Sequence, residues 1–97
     1  MPKARKTKAK KPKMPPRTWC IYVMRCADDT LYCGITNDLE RRLKQHNAGT
    51  GARYTRVRLP VILEGSWGVK NRSEALKGEF AFKKLNRMRK EQFLAEL

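Results

Sequence analysis

Two short apolar runs stand close together in the first half of the chain. Trp19 to Arg25 reads WCIYVMR and Leu31 to Thr36 reads LYCGIT, both rich in β-branched and aromatic residues. A polar stretch, Cys26-Ala27-Asp28-Asp29-Thr30, lies between them. Two β-prone runs joined by such a turn predict an antiparallel hairpin. The pattern then changes period. Leu39 and Leu43 are four apart, Asn37 stands as an N-cap with Glu40 three residues on, and Gly49 follows as a stop. This predicts a helix over about 38–47. Residues 48–58 (AGTGARYTRVR) are Gly-rich and basic, and predict a loop. Pro60 to Trp67 (PVILEGSW) predicts a third strand. Ser73 then caps a helix over about 74–85, with Ala75, Leu76, Phe80, Phe82 and Leu85 as its apolar positions. Met88, Phe93, Leu94 and Leu97 predict a last short helix after Asn86. The order is ββαβαα: an α+β fold with a three-stranded antiparallel sheet flanked by helices.

Length and charge narrow the picture. The chain has 97 residues, which is one domain with one modest core. No run of 18 apolar residues occurs, so no transmembrane helix and no membrane anchor is expected. Three cysteines, Cys20, Cys26 and Cys33, match neither a paired redox motif nor a zinc spacing. A cytoplasmic protein with reduced thiols is the expectation, with Cys20 and Cys33 as small buried hydrophobes. The formal net charge is +14. Residues 1–17 carry eight basic side chains and no acid, with Pro2, Pro12, Pro15 and Pro16 breaking any helix. That segment is expected to be a disordered basic tail, and 18–97 the folded domain. The domain keeps a surplus of basic side chains of its own. A polyanion is the natural partner, and nucleic acid suits it better than an anionic membrane, since no apolar anchor accompanies the charge.

Several polar residues sit where packing alone does not call for them. On the first helix, Leu39, Arg42, Leu43 and His46 share one stripe, while Arg41 and Lys44 are solvated cations. Arg42 and His46 therefore edge an apolar face, where an Arg stem also serves simply to cover a core. Glu79 edges the apolar stripe of the later helix, with Lys83 placed at i+4 to pair with it. Tyr22 and Tyr32 become neighbours on one sheet face if their strands pair. Arg53, Tyr54 and Arg56 lie in the basic loop, where Tyr54 is free to stack on a base or meet a phosphate. Arg41, Lys44, Arg53, Tyr54, Arg56 and Lys83 are the candidate nucleic-acid contacts. A cysteine nucleophile is not expected, because His46, the only histidine, lies on another element with no evident orienting partner.

Taken together, these residues resemble the GIY-YIG nuclease superfamily. The first signature reads Cys20-Ile21-Tyr22 and the second Tyr32-Cys33-Gly34, with nine residues between the tyrosines. The helix Asp38 to His46 is similar to the stretch bearing the family's catalytic Arg, which falls on Arg42. The family's metal-binding Glu falls on Glu79. The resemblance covers about residues 18–90, and the loop Gly49 to Thr55 with Pro60-Val61 looks closest to small stand-alone bacterial members, the YhbQ-like group. It implies a three-stranded sheet flanked by helices and hydrolysis of a nucleic-acid phosphodiester with Mg²⁺, or another divalent cation such as Mn²⁺. It also implies Tyr22, Tyr32, Arg42 and His46 as catalytic groups, with Tyr32 favoured as base and Tyr22 as its partner, the reverse remaining open. Cys20 stands where the family has its first Gly, Cys33 where the second signature has its central Ile, and Ile35 where excision-repair members have an assisting Lys.

Three function classes compete: an endonuclease with DNA favoured over RNA, in repair or processing; a catalytically degenerate nucleic-acid-binding module; and a basic ribonucleoprotein component. Glu79 separates the first from the second, because a carboxylate repels phosphate unless a cation intervenes. No protein partner is indicated, and a monomer is expected.

Overall fold

The computed structural model describes residues 18–97; the basic tail expected over 1–17 lies outside the described residues. Three strands, β1 (Cys20–Arg25), β2 (Leu31–Thr36) and β3 (Ile62–Gly68), form one antiparallel sheet in the order β2-β1-β3. Four helices complete the domain: α1 (Leu39–Asn47), α2 (Arg53–Arg56), α3 (Arg72–Lys83) and α4 (Arg87–Ala95). The fold class is α+β, as the hydrophobic pattern predicts.

The central strand explains its own composition. β1 is buried on both faces, so it reads as a continuous apolar run rather than an alternation. Cys20, Tyr22 and Met24 point to one core with Cys26, Leu39 and Val61, under α1 and the segment after it. Ile21 and Val23 point to a second core with Cys33, Ala75, Phe82 and Leu94, under α3 and α4. Each large apolar side chain removed from water in these layers contributes about 1.5–3 kcal/mol. Gly78 lets α3 come close, since a Cβ there would collide with the Ile21 Cδ1 methyl. A helix-interior glycine otherwise costs up to about 1 kcal/mol, so close packing is what it serves here.

Four boundaries differ from the pattern reading. α1 is capped by Asp38, not Asn37; its carboxylate accepts from the Arg41 amide at 3.3 Å. A carboxylate at that position also suits the positive end of the helix. The loop expected over 48–58 contains the short helix α2, closed by the Arg56 amide donating to the Ala52 carbonyl at 3.0 Å. β3 begins at Ile62 rather than Pro60, because Pro60 has no amide to give and the Val61 amide goes to Asn47 Oδ1 instead. α3 spans Arg72–Lys83 and is capped by Asn71, whose side chain accepts from the Glu74 amide at 2.9 Å; Ser73 lies inside it. α4 follows Asn86 as expected, with Asn86 as its cap.

β1 and β3 also part from a regular ladder. Val23 faces Gly65 and Met24 faces Leu63, so Glu64 is bulged out. The bulge turns its carboxylate onto Arg25 Nε at 3.0 Å. Arg25 also meets Asp29 and Glu91, tying the hairpin turn and α4 to the sheet.

Candidate nucleic-acid active site

The sheet register builds the tyrosine pair. Tyr22 lies opposite Gly34, and Tyr32 opposite Met24, so the two phenols share the α1 face of the sheet as diagonal neighbours. Their ring centroids are 6.4 Å apart. Gly34 is the reason the Tyr22 ring lies across β2. A Cβ at Gly34 would sit 2.6 Å from the Tyr22 hydroxyl. The glycine of the second signature thus serves the tyrosine of the first.

α1 brings two more groups to the same place. Arg42 Nε donates to the Tyr22 hydroxyl at 3.3 Å, and Arg42 Nη1 donates to Gln45 Oε1 at 3.0 Å. His46 Nε2 lies 2.9 Å from the Tyr22 hydroxyl. The imidazole is fully buried, packed edge-on against both tyrosine rings. Its other nitrogen, Nδ1, lies 2.8 Å from Thr55 Oγ1 on α2. Thr55 is also fully buried.

Burial sets the protonation states. It pushes the Tyr22 phenol up to about 12, against the pull of Arg42. It holds His46 down to about 4, and the neighbouring Arg42 charge adds to that. At neutral pH the pair is therefore a phenol and a neutral imidazole. Both shifts oppose proton transfer between them in the resting protein, so no phenolate is stored there. Burial, with the Glu79 charge second, pushes the Cys33 thiol up to about 12, and burial alone pushes Cys20 to about 11. Both are inert core thiols, as their composition and setting predict.

Glu79 approaches from the opposite face. Cys33 points into the α3 core while Tyr32 points away from it. β2 is an edge strand, so the two faces meet around its free edge. A cleft of about 290 Å³ lies there, lined by Leu31, Tyr32, Cys33, Tyr54, Phe82, Lys83 and Lys90. Glu79 is bound to Lys83 at 3.0 Å, and its side chain is 20 % exposed. At the other end of β2 a second cleft is lined by Ile35, Thr36, Arg41, Arg42, Gln45 and Arg72 among others. Their lining residues on β2 are centred three to four positions apart, about 12 Å along the strand.

The candidate contacts divide accordingly. Arg41 lines one cleft, and Tyr54 and Lys83 line the other. Tyr54 stacks on Tyr32 at 6.0 Å, and the Arg58 guanidinium lies 3.8 Å from its ring centroid. Its ring is thus less free than the loop composition suggests. Arg53 and Arg56 are exposed on α2 and line neither cleft. Lys44 lines a separate groove beside Met24, Val61 and Leu63, away from Arg42. Pattern reading missed Thr55, Gln45, Arg58, Arg72 and Lys90. Arg72 and Lys90 look like ordinary surface cations in a sequence; only the fold turns them to the cleft walls. Thr55 had one signal, its place in the loop segment that sets off the small stand-alone type.

A divalent cation is tested by the donors present. Among the described residues there is no group of three or more His, Cys, Asp or Glu able to hold a metal. Glu79 is a single hard oxygen ligand. That suits Mg²⁺, which keeps several waters and takes one or two carboxylates plus substrate phosphate. The Lys83 ion pair is a partly exposed i,i+4 contact, of the kind worth about 0.3–0.5 kcal/mol, so displacing it costs about twofold in affinity.

The comparisons show the family. The GIY-YIG catalytic domain model matches residues 18–92. The chain belongs to the GIY-YIG catalytic domain family. It is 49 % identical over 76 residues to a UPF0213 protein of Bacillus velezensis, covering 78 % of this chain and 77 % of that one. It is 54 % identical over 74 residues to a UPF0213 protein of Lactococcus lactis, covering 75 % and 76 %. Two solution structures are similar. One, from E. faecalis, has a TM-score of 0.60 at 46 % identity, covering 86 % of this chain and 90 % of that one. The other, a UPF0213 protein of Bacillus halodurans, has a TM-score of 0.54 at 38 % identity, covering 80 % and 83 %. The family is one of nucleases, so the chain belongs to a phosphodiester-hydrolysing, nucleic-acid-binding class.

Proposed function

We propose that this protein is a divalent-metal-dependent endonuclease that hydrolyses phosphodiester bonds, with DNA favoured, and that it works as a cytoplasmic monomer in DNA repair or processing. The observation that supports this reading best is the row that runs from Arg42, at the cleft, to the buried Tyr22 and His46. A module that only binds phosphate needs exposed cations; it has no use for a phenol backed by a neutral imidazole.

Each residue's part follows from what it leaves free. Arg42 spends two of its five N–H groups on Tyr22 and Gln45, which leaves three for phosphate oxygens. The Tyr22 oxygen takes the proton of the attacking water while its own proton passes to His46 Nε2. The two movements are concerted, since neither partner holds the intermediate charge at neutral pH, and as the bond to the leaving oxygen breaks the proton on Nε2 returns through Tyr22 to that oxygen. The sequence favoured Tyr32 as base. The hydrogen bonds support Tyr22 instead, because it alone of the two has an imidazole nitrogen behind it. Tyr32 then walls the site and carries Tyr54. Glu79 would hold the cation, which supplies positive charge for the phosphate and the leaving oxygen. Arg41 and Arg72 at one cleft, and Lys83 and Lys90 at the other, would guide the backbone. The tail at 1–17 adds sequence-independent affinity, so its removal should weaken binding to all substrates alike and flatten the salt dependence.

The second reading, a degenerate binding module, draws on the Lys83–Glu79 pair. Cleavage of labelled duplex, branched and single-stranded DNA and RNA distinguishes the two. The proposal expects metal-dependent cutting of at least one DNA, lost in Arg42→Ala. Salt-sensitive binding without cutting of any substrate would support the module.

A further inference from the structure

We infer that Thr55 is a positioning residue that fixes the tautomer of His46, placing its hydrogen on Nδ1 and leaving Nε2 bare as the acceptor for the Tyr22 proton. This rests on the assignment of Tyr22 and His46 above and adds the group that makes it work.

The argument is a count of hydrogens. Thr55 Oγ1 lies 3.1 Å from the Ala52 carbonyl and 2.8 Å from His46 Nδ1. A hydroxyl has one hydrogen to give. If Thr55 donates to Ala52, its oxygen accepts from an Nδ1–H. Nε2 is then bare and accepts from the Tyr22 hydroxyl, whose oxygen accepts from Arg42 Nε. Every donor in the row has an acceptor: Arg42, Tyr22, His46 and Thr55 each give one hydrogen to the next group.

The opposite arrangement fails. If Thr55 donates to Nδ1, the hydrogen moves to Nε2 and points at the Tyr22 oxygen. That oxygen then receives from Arg42 and His46 together. The Tyr22 hydrogen is then left without an acceptor in the protein, in a residue only 1 % exposed. Buried donors without acceptors are rare because the loss of hydration is not made good. The first row is therefore the stable one, and it is the one that lets Tyr22 release a proton inward.

The surroundings lock the ring in place. A Cβ on Gly51 would lie 2.6 Å from Nδ1, so the backbone there forms a close wall. Tyr22 from β1, Tyr32 from β2, Arg42 from the same helix and Thr55 from α2 are the polar groups that face the ring. α2 is thus part of the site. Its four residues carry Tyr54 outward to the cleft and Thr55 inward to the histidine.

The chain has one histidine, which makes the test clean. In ¹⁵N-labelled full-length protein, the long-range ¹H–¹⁵N spectrum at pH 7 reports which ring nitrogen bears hydrogen. The expected result is a protonated Nδ1 and a bare Nε2. Thr55→Ser keeps the hydroxyl and should keep that pattern. Thr55→Val keeps the shape, removes the acceptor and should move the population toward Nε2–H. In parallel, kcat for cleavage should fall roughly tenfold to a hundredfold in Thr55→Val with KM unmoved, and stay within about threefold of wild type in Thr55→Ser. A wild-type spectrum showing Nε2–H overturns the inference, and needs no variant to fold. So does Thr55→Val with the wild-type tautomer and the wild-type kcat. A protein that shows the expected tautomer and loses it in Thr55→Val, yet cuts no substrate, upholds the control of the ring by Thr55 and overturns the nuclease reading instead.

Discussion

Lowering the pH should destabilise this domain through His46 before any carboxylate matters. The imidazole stands at about 4 in the folded chain against an ordinary value of 6.5. Its folded form therefore refuses a proton that the unfolded chain accepts. Stability that is full above the unfolded value is lost as the pH falls below it, until the folded value is reached. The full gap corresponds to about 3 kcal/mol at 1.36 kcal/mol per pH unit. Between pH 8 and pH 5 the expected loss is about 2 kcal/mol, since most of the unfolded titration is complete by then. Carboxylates act elsewhere. Asp28, held low first by the Thr30 hydroxyl, and Glu91, held low first by Arg25, start from ordinary values of 3.8 and 4.5. Their stabilisation is lost only as the pH drops beneath those values. The window from pH 8 to 5 thus belongs to the single histidine. Urea denaturation followed by the fluorescence of Trp19 and Trp67 measures it, with His46→Gln as a control that cannot titrate. Wild type should lose about 2 kcal/mol across the window and the variant close to none. Equal slopes for both, or a wild-type stability flat to pH 5, would refute the buried neutral imidazole and with it the proton path.

Two other predictions follow from close contacts. Gly34→Ala places a methyl 2.6 Å from the Tyr22 hydroxyl, so the ring must leave Arg42 and His46; cleavage should fall at least tenfold, and circular dichroism should show a retained fold destabilised by about 1–3 kcal/mol. Lys83→Met releases Glu79 from its ion pair, so the Mg²⁺ concentration for half-maximal cleavage should drop about twofold while substrate KM rises. A tenfold rise in that Mg²⁺ requirement would mean that Lys83 assists the cation rather than competing with it.

The fold was legible because its signals are local. The central strand announces itself as an unbroken apolar run, and Leu39 with Leu43 marks the first helix. The errors lie at ends, where Asp38 and Asn71 outcompete their neighbours Asn37 and Ser73 as caps through bonds that a pattern does not show. The short helix Arg53–Arg56 was hidden in a glycine-rich, basic segment. It is held by tertiary bonds, from Thr55 to His46 and from Arg58 to Asp28, rather than by propensity. The charged and aromatic members of the candidate site, Tyr22, Tyr32, Arg42, His46 and Glu79, were singled out by their resemblance to the family's signatures. What the sequence hid is the geometry between them. The depth of His46, the sharing of Tyr22 between two partners and the wrap of the site around the β2 edge all depend on strand register. Thr55 and Gly51 bear no chemical mark of their own, and only packing gives them a role.

The account rests on a cation at Glu79 and phosphate capture at Arg42. The most direct measurement is nicking of supercoiled plasmid with Mg²⁺ and with a chelator, using wild type, Glu79→Ala and Arg42→Ala purified side by side. The account predicts Mg²⁺-dependent nicking by wild type, reduced by at least a hundredfold in each variant, with all three proteins melting alike. Nicking by Glu79→Ala at the wild-type rate, or equal nicking with and without the chelator, would contradict it.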